Sequence, residues 1–222
     1  MTSHHSKKVF HGDDFSHQDL QDAHFEHCEF HHCRFSHADL TDACFSHCQF
    51  MFPDEDNGCD FSYATLTHAS FKHCNLSMAL FKGVSCYGIE MRECNLQGCD
   101  FDRASFANYI TAKSYFCAAY ITACNLAYAD LNNALLEECE LFDNRWHGAN
   151  LTGASMKGAD LSGGEFSTEQ WGSFELSGCD LTRVELEGLD PRQVDLKGVQ
   201  INSWQQAQLL TSMGLIICAE TP

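Results

Sequence analysis

The stretch Asp100-Phe101-Asp102-Arg103-Ala104-Ser105-Phe106 carries two large apolar residues, Phe101 and Phe106, five positions apart. A small residue, Ala104, lies two positions before the second of them, and polar residues fill the rest. The same five-residue unit recurs along nearly the whole chain, and a repeat of this kind decides the fold. Its apolar centres run from Phe10 to Phe50, from Phe61 to Phe106, and from Phe116 to Ile201, with a break at Pro191.

A period of five fits neither an α-helix nor an ordinary strand. On a helix the apolar positions would wander around the axis, and on a strand they would alternate between faces. A four-sided coil resolves the conflict, because each unit then forms one side and a turn follows it. Successive coils would stack at the strand spacing of about 4.8 Å, with their backbones hydrogen-bonded to each other. The repeat therefore predicts an all-β solenoid.

The position two before each centre should also point inward, where space allows only a small side chain. Alanine and cysteine occupy most of these positions, so cysteine is expected to act as a small apolar residue. Because the chain has no C-x-x-C pair and no inward histidine, we expect no metal site. Cys28 and Cys48, and likewise Cys74 and Cys94, should stack one coil apart, within reach of a disulfide on oxidation.

Both ends of the repeat look like caps. Lys8, Asp13 and Gln18 are poorly suited to a packed interior, so we expect the regular coil to begin near Ala23. At the other end the period stops after Ile201, and Ser203 can cap a following helix that stops at Gly214.

The C-terminal segment must cover an open coil end, which would otherwise expose unpaired backbone groups. It can fold back on its own last coil, or pair with a second copy of the chain. The segment is more apolar than a cap needs, which favours a two-fold dimer. The predicted dimer interface consists of Trp204, Leu209, Leu210, Met213, Leu215, Ile216 and Ile217.

Histidines are concentrated in the first 50 residues, and five of them lie two positions after an apolar centre, where they should point outward: His17, His27, His32, His37 and His47. His17 should stack over His37, and His27 over His47. A solvated column at a corner of the coil, a pH-responsive group and adventitious metal binding are all compatible with this arrangement.

Two interruptions of the repeat are the candidate functional sites, since loops on a rigid scaffold often carry function. Between Phe50 and Phe61 six residues are extra, and Pro, Asn-Gly and acidic residues indicate a loop. The first predicted partner-binding loop is Met51, Phe52, Pro53, Asp54, Glu55, Asp56, Asn57 and Gly58.

The second interruption follows Phe106, where Thr111 replaces an apolar centre. We expect this segment to leave the wall and to expose Tyr109, Ile110 and Tyr115 together, as an interface would. The second predicted partner-binding loop is Ala107, Asn108, Tyr109, Ile110, Thr111, Ala112, Lys113, Ser114, Tyr115, Phe116, Cys117 and Ala118. A further irregularity puts Glu169 and Phe174 in small inward positions, which we explain by local bulging near Trp171.

The composition and the absence of known motifs argue against several classes of function. The 222-residue chain has a formal charge of -18 and a pI near 4.9, which argues against direct nucleic-acid or membrane binding and allows a partner with a basic groove. No apolar run is long enough for a membrane span, and Met1 to Lys8 lacks the apolar core of a signal peptide, so we expect a cytoplasmic protein with reduced thiols. No G-x-S-x-G, Walker or H-E-x-x-H motif is present, which argues against an enzyme and gives no sign of a cofactor.

The unit resembles the pentapeptide-repeat motif A-(D/N)-L-x-x, as in Ala129-Asp130-Leu131, Ala149-Asn150-Leu151 and Ala159-Asp160-Leu161. This resemblance implies a right-handed quadrilateral β-helix. The two loops, the C-terminal helix and the segments Gly88 to Arg92, Ala119 to Thr122, Asn144 to Trp146 and Leu161 to Phe166 are similar to the Qnr quinolone-resistance proteins. The His-rich N-terminal units and the acidic first loop depart from that family's pattern.

The Qnr resemblance implies that the protein binds DNA gyrase and topoisomerase IV, protects them from quinolones and dimerises through its C-terminus. We expect a β-helix over 1–202 with two projecting loops, and a C-terminal helix and dimerisation segment over 203–222. The polar residue before each centre should stack into acidic columns that mimic DNA, formed by Asp100, Asn125, Asp130, Glu140, Asn150, Asp160 and Asp180. A general interaction scaffold with a partner other than a topoisomerase is the alternative.

Overall fold

The computed structural model describes residues 3–53 and 58–218. Its backbone winds through stacked four-sided coils, and His4 pairs with His24, which in turn pairs with Cys44. The step of 20 residues per coil equals four of the five-residue units. The predicted β-helix, all-β apart from a short C-terminal helix, is therefore confirmed.

Each side of a coil is so short that only part of it is regular strand. The strands are β1 His4–Ser6, β2 Val9–His11, β3 His24–Glu26, β4 Glu29–His31, β5 Cys44–Ser46, β6 Ser70–Lys72, β7 Ile89–Arg92, β8 Ala107–Thr111, β9 Ser114–Cys117 and β10 Ala119–Thr122. Two 3₁₀ turns, Thr168–Gln170 and Ser203–Gln205, precede the helix α1, Gln206–Ser212. Strands β1-β3-β5-β6-β7-β10 form one parallel sheet, β2 pairs with β4, and β8 pairs with β9.

We number the four sides by the centres of the first coil, so that face 1 contains His5, face 2 Phe10, face 3 Phe15 and face 4 Leu20. Single backbone bridges continue each face where regular strand ends. Face 1, for example, extends through Tyr120, Glu140, Asp160, Asp180 and Gln200. The corner after each face takes the number of the two faces that it joins.

The coil begins about 20 residues earlier than predicted. Strands β1 and β2 pair with β3 and β4, so residues before Ala23 already belong to the wall. His5 occupies the first centre of face 1 and stacks on Phe25 at 4.8 Å, contrary to the expectation that no histidine points inward. The polar residues in the small positions remain exposed at the open end of the stack, which is why they signalled a cap.

Stacked aromatic rings fill the N-terminal half of the interior. Within one face, Phe25 and Phe45 stack at 4.9 Å, and Phe45 and Phe71 at 4.7 Å. Rings on neighbouring faces meet edge to face, as Phe25 and Phe30 do at 5.5 Å. Such contacts add to the stabilisation from apolar burial. Towards the C-terminus leucine takes over most of the centres.

The cysteines pack as the repeat predicts. All fourteen are free thiols, and the inward ones are buried. The Cys48 thiol donates to the carbonyl of Phe25 at 3.5 Å, and that of Cys99 to Leu76 at 3.0 Å, so these thiols also help to hold successive coils together. Burial raises the pKa of Cys139 and Cys179 to about 12, which keeps both thiols protonated at neutral pH.

Corner residues adopt left-handed backbone angles and point outward. His17 stacks on His37 and His27 on His47, each at 4.8 Å, as predicted, and the second column continues to His73. Among the described residues, no group of three metal-ligating side chains could hold an ion.

Two buried amides replace small residues at the inward positions. Asn144 is fully buried and donates to the carbonyls of Ile121 and Leu141, while Cys124 N–H donates to its side-chain oxygen. Gln170 donates to the carbonyls of Trp146 and Ala149 from the 3₁₀ turn that precedes Trp171. The predicted irregularity is therefore present.

Its residues are partly different from those expected. Phe174 is buried as predicted, but Glu169 is exposed and Gln170 takes the inward place. The exchange follows from the 3₁₀ turn, because its rise of about 2.0 Å per residue is shorter than the roughly 3.3 Å of an extended side and changes which residue points inward.

The C-terminal helix lies on the last coil. The 3₁₀ turn before it is capped by Asn202, not by Ser203 as predicted, and Asn202 N–H donates to Gln205 Oε1 at 2.5 Å. Buried Gln205 then donates to the carbonyls of Leu181 and Val184. Gly214, with a φ of 87°, ends the helix as expected.

Candidate partner-binding site

The second interruption is a β-hairpin that projects from the coil. Strands β8 and β9 pair antiparallel, with Tyr109 opposite Tyr115 and a register shift between Tyr109 and Thr111. At its base, Ala118 N–H donates to the carbonyl of Phe106 at 3.1 Å. Ala119 pairs with Ile89 directly afterwards, so the coil resumes with ten extra residues. A predicted loop is thus an ordered hairpin at the corner between faces 4 and 1.

The second strand of the hairpin is anchored to the coil. The Tyr115 hydroxyl donates to Glu137 Oε2 at 3.2 Å, and Ser155 donates to Glu137 Oε1 at 2.6 Å. Burial and the negative charge of Glu137 raise the pKa of Tyr115. Phe116 contacts Tyr87 edge to face at 5.5 Å. These contacts fix the direction in which the hairpin projects.

The hairpin also exposes apolar surface. Tyr109 is 55% exposed, Ile110 68% and Phe116 43%. The prediction for Tyr109 and Ile110 therefore agrees with the structure, whereas Tyr115 is half-buried against Glu137. Phe116 is not an inward centre, contrary to the repeat pattern, because the next true centre is Ile121, paired with Met91.

The first interruption inserts six residues, as predicted, because Phe45 pairs with Phe71 instead of with a residue 20 positions on. Phe52 stacks on His31 at 3.5 Å, and Asn75 donates to the Met51 carbonyl at 3.3 Å. At the far end, Gly58 N–H donates to the Met78 carbonyl at 3.2 Å. The loop leaves from the corner between faces 2 and 3, opposite the hairpin. Pro53 is exposed, and Asp54, Glu55, Asp56 and Asn57 lie outside the described residues.

The predicted dimer residues divide into two groups. Leu209 packs against the protein's own core, so it helps to cover the last coil. The remaining side chains are exposed, from 40% for Leu210 to 90% for Ile216. The exposed members are Trp204, Leu210, Met213, Leu215, Ile216 and Ile217.

The predicted polar columns are present on three faces. Asp100, Asp130 and Asn150 stack on face 3, and Asn150 donates to Asp130 at 3.0 Å. Asn125 belongs to an amide column on face 2, where it donates to Asn95. Glu140, Asp160 and Asp180 stack on face 1.

Sequence reasoning missed the residues that hold the hairpin in place. Tyr87, Glu137 and Ser155 come from coils before and after it, and their ordinary positions in the repeat gave no sign of this role. The polar replacements Asn144 and Gln170 at small inward positions were visible in the pattern as exceptions.

The fold and the repeat define the class. The profile of pentapeptide repeats matches eight copies, at residues 14–51, 59–98, 99–137 and 145–167. The chain belongs to the pentapeptide-repeat family. Within it, the chain is closely related to the Qnr proteins: the solved structure of full-length QnrB1, a plasmid-mediated fluoroquinolone resistance protein, superposes with a TM-score of 0.92 at 45% identity. That match covers 96% of this chain and 100% of QnrB1.

Two further relatives are similar in sequence to this chain over shorter regions. A pentapeptide repeat protein of Vibrio parahaemolyticus, VPA0095, is 53% identical over 142 residues, which are 64% of this chain and 66% of that protein. QnrB4 of Escherichia coli is 51% identical over 79 residues, 36% of this chain and 37% of QnrB4. The aligned regions thus span between about a third and just under two thirds of these relatives. Among the described residues, no helix is long and apolar enough to cross a membrane.

Proposed function

We propose that this protein binds the type II topoisomerases DNA gyrase and topoisomerase IV and protects them from quinolones by destabilising the drug-trapped cleavage complex. The observation that carries the proposal is the match to QnrB1 along nearly the whole chain. The ordered hairpin with exposed Tyr109 and Ile110 supplies a surface suited to a specific contact.

The acidic body supports docking to a surface that normally holds duplex DNA. A net charge of -18 on a narrow coil accelerates encounter with a basic groove and makes association sensitive to salt. Competition with DNA alone, however, would inhibit the enzyme with or without drug.

Protection therefore needs a contact that distinguishes the drug-trapped complex from the drug-free enzyme. A ligand with equal affinity for two states shifts neither population, whereas a tenfold difference in affinity corresponds to about 1.4 kcal/mol. We assign that discrimination to the hairpin and the first loop, and the charge-driven docking to the coil.

The proposal includes a homodimer formed through the C-terminal segment and a cytoplasmic location. Exposed Leu215, Ile216 and Ile217 give the end of the molecule an apolar surface that a second copy would bury. In this proposal the protein acts by binding its partner and catalyses no reaction itself.

Binding to purified topoisomerase separates this function from that of a general scaffold. We expect the immobilised protein to bind both gyrase and topoisomerase IV, with an affinity that falls as NaCl is raised from 50 to 200 mM. A control acidic protein of similar size and charge should bind at least about tenfold more weakly under the same conditions. Equal binding of the control, or none to either enzyme, would favour the scaffold alternative.

A further inference from the structure

Next to the hairpin, face 1 combines an exposed aromatic side chain with a column of three carboxylates. Tyr120, at the start of this surface, is 38% exposed and follows the hairpin directly. It is bridged to Glu140, which leads to Asp160 and then to Asp180. Exposed aromatic surface thus continues into three carboxylates that are spaced one coil apart, about 4.8 Å.

These three carboxylates have no cationic partner among the described residues. Several acidic residues in comparable positions on other coils do have one: Glu90 binds Lys72 and Arg92, and Glu175 binds Lys157. On face 3, Asp130 accepts a hydrogen bond from Asn150, and Leu80 interrupts the column. Among the described faces, face 1 below the hairpin is therefore the one that has three consecutive acidic residues and no neutralising side chain.

Two of the carboxylates are held in fixed orientations. One oxygen of Asp160 accepts the N–H of Ser162 at 2.9 Å, and one oxygen of Asp180 accepts the N–H of Thr182 at 2.8 Å. Each side chain keeps its second oxygen for a partner. Ordering these groups in advance lowers the entropy lost when a partner binds.

The corner beside these residues carries glycine at its left-handed position in three successive coils. Below Glu138, the turns between faces 4 and 1 are Lys157-Gly158, Ser177-Gly178 and Lys197-Gly198. Left-handed angles alone do not require glycine, because residues such as His17 and Asn133 adopt them at other corners. The three glycines leave the left-handed position of this corner without side chains, which lets a partner surface approach the carboxylates from that side.

We propose that the hairpin and face 1 from Tyr120 to Asp180 form one docking surface for a protein that presents an apolar pocket beside a row of lysine or arginine side chains. The apolar pocket receives Tyr109, Ile110 and Tyr120, and the cations lie along the acidic column. The inference rests on the proposed function, since it takes the topoisomerase as the partner, and it assigns the face of the coil that meets it. Face 3 is not part of this surface, and the first loop, which leaves from the corner between faces 2 and 3, makes a separate contact with the enzyme.

Two charge-matched triple variants test this assignment. E140Q/D160N/D180N removes three charges from face 1, and D60N/D100N/D130N removes three from face 3. Asparagine keeps the oxygen that accepts the turn N–H, so both variants should fold, as thermal unfolding of each will show. Binding to purified gyrase is measured for both at several NaCl concentrations.

We expect the face 1 triple to raise Kd at least about tenfold, mainly through slower association, and to weaken the salt dependence. The face 3 triple should stay within about twofold of wild type. A second pair tests the apolar part: Tyr120→Ala should speed dissociation several-fold, whereas Tyr128→Ala, 69% exposed on the opposite corner, should not.

Equal losses in the two triples would mean that only net charge matters and would overturn the assignment, as would a larger loss on face 3 or wild-type binding by the face 1 triple. In each of these cases wild type still binds gyrase, so the proposed function stands. Failure of wild type to bind gyrase or topoisomerase IV would overturn the proposed function, and the docking surface with it.

Discussion

Removal of the hairpin is expected to abolish quinolone protection while the coil stays folded. The hairpin adds ten residues between Phe106 and Ala119, so deleting residues 107–116 restores the ordinary spacing of the repeat. Ala118 would then occupy the corner position that Gly88 has one coil earlier, and an accompanying Ala118→Gly change suits its left-handed angle. The deletion removes exposed residues and the Tyr115–Glu137 contact, and no inward centre.

The variant should therefore unfold within a few degrees of wild type, yet restore less than about a tenth of gyrase supercoiling under ciprofloxacin at concentrations where wild type restores it fully. Our reason is that the coil alone competes for the DNA-binding surface without discriminating the drug-trapped complex. A deletion variant that protects as well as wild type would show that the hairpin does not carry the activity.

Point substitutions provide the matched control. Tyr109→Ala together with Ile110→Ala should reduce protection strongly, because both side chains project from the hairpin. Tyr128→Ala removes an exposed aromatic side chain from the opposite corner and should leave protection close to wild type.

Substitution of Asn144 by alanine is expected to cause a large loss of stability for a single polar residue. The side chain is fully buried and satisfies three backbone groups, the carbonyls of Ile121 and Leu141 and the N–H of Cys124. Alanine would leave those groups without partners away from water, at about 3 kcal/mol in total. For a chain of this length that corresponds to a fall of roughly 6–12 °C in Tm.

The exposed amide of Asn150, which donates one hydrogen bond to Asp130, is the control. Asn150→Ala should cost less than about 1 kcal/mol, because water replaces the lost partner. Urea unfolding of both variants gives the comparison. Equal midpoints would show that the buried amide is not a structural requirement of the coil.

The regular part of the fold follows from the sequence because one inward position every five residues admits only large apolar side chains. Phe25, Phe45 and Phe71 illustrate this, since their spacing gives both the coil length and the six-residue insertion. The stacked histidine corners follow from the same register.

The start of the coil could not be placed correctly, because a wall held by backbone pairing tolerates His5 and the exposed Lys8 when nothing packs above them. The repeat pattern also did not predict that the segment after Phe106 forms an ordered β-hairpin. Phe116 has the spacing of a centre, and only the pairing of Ala119 with Ile89 shows that it lies outside. Anchors such as Glu137 depend on contacts between distant coils, for which the repeat gives no local signal.

The most direct test of the account is gyrase supercoiling with and without ciprofloxacin across a titration of the full-length protein, with the cleaved DNA quantified in the same reactions. The account predicts that, with drug, the protein restores supercoiling and lowers the amount of cleaved DNA, while without drug the same concentrations leave supercoiling unchanged. Equal inhibition in both conditions, or no effect on drug-trapped cleavage, would contradict it.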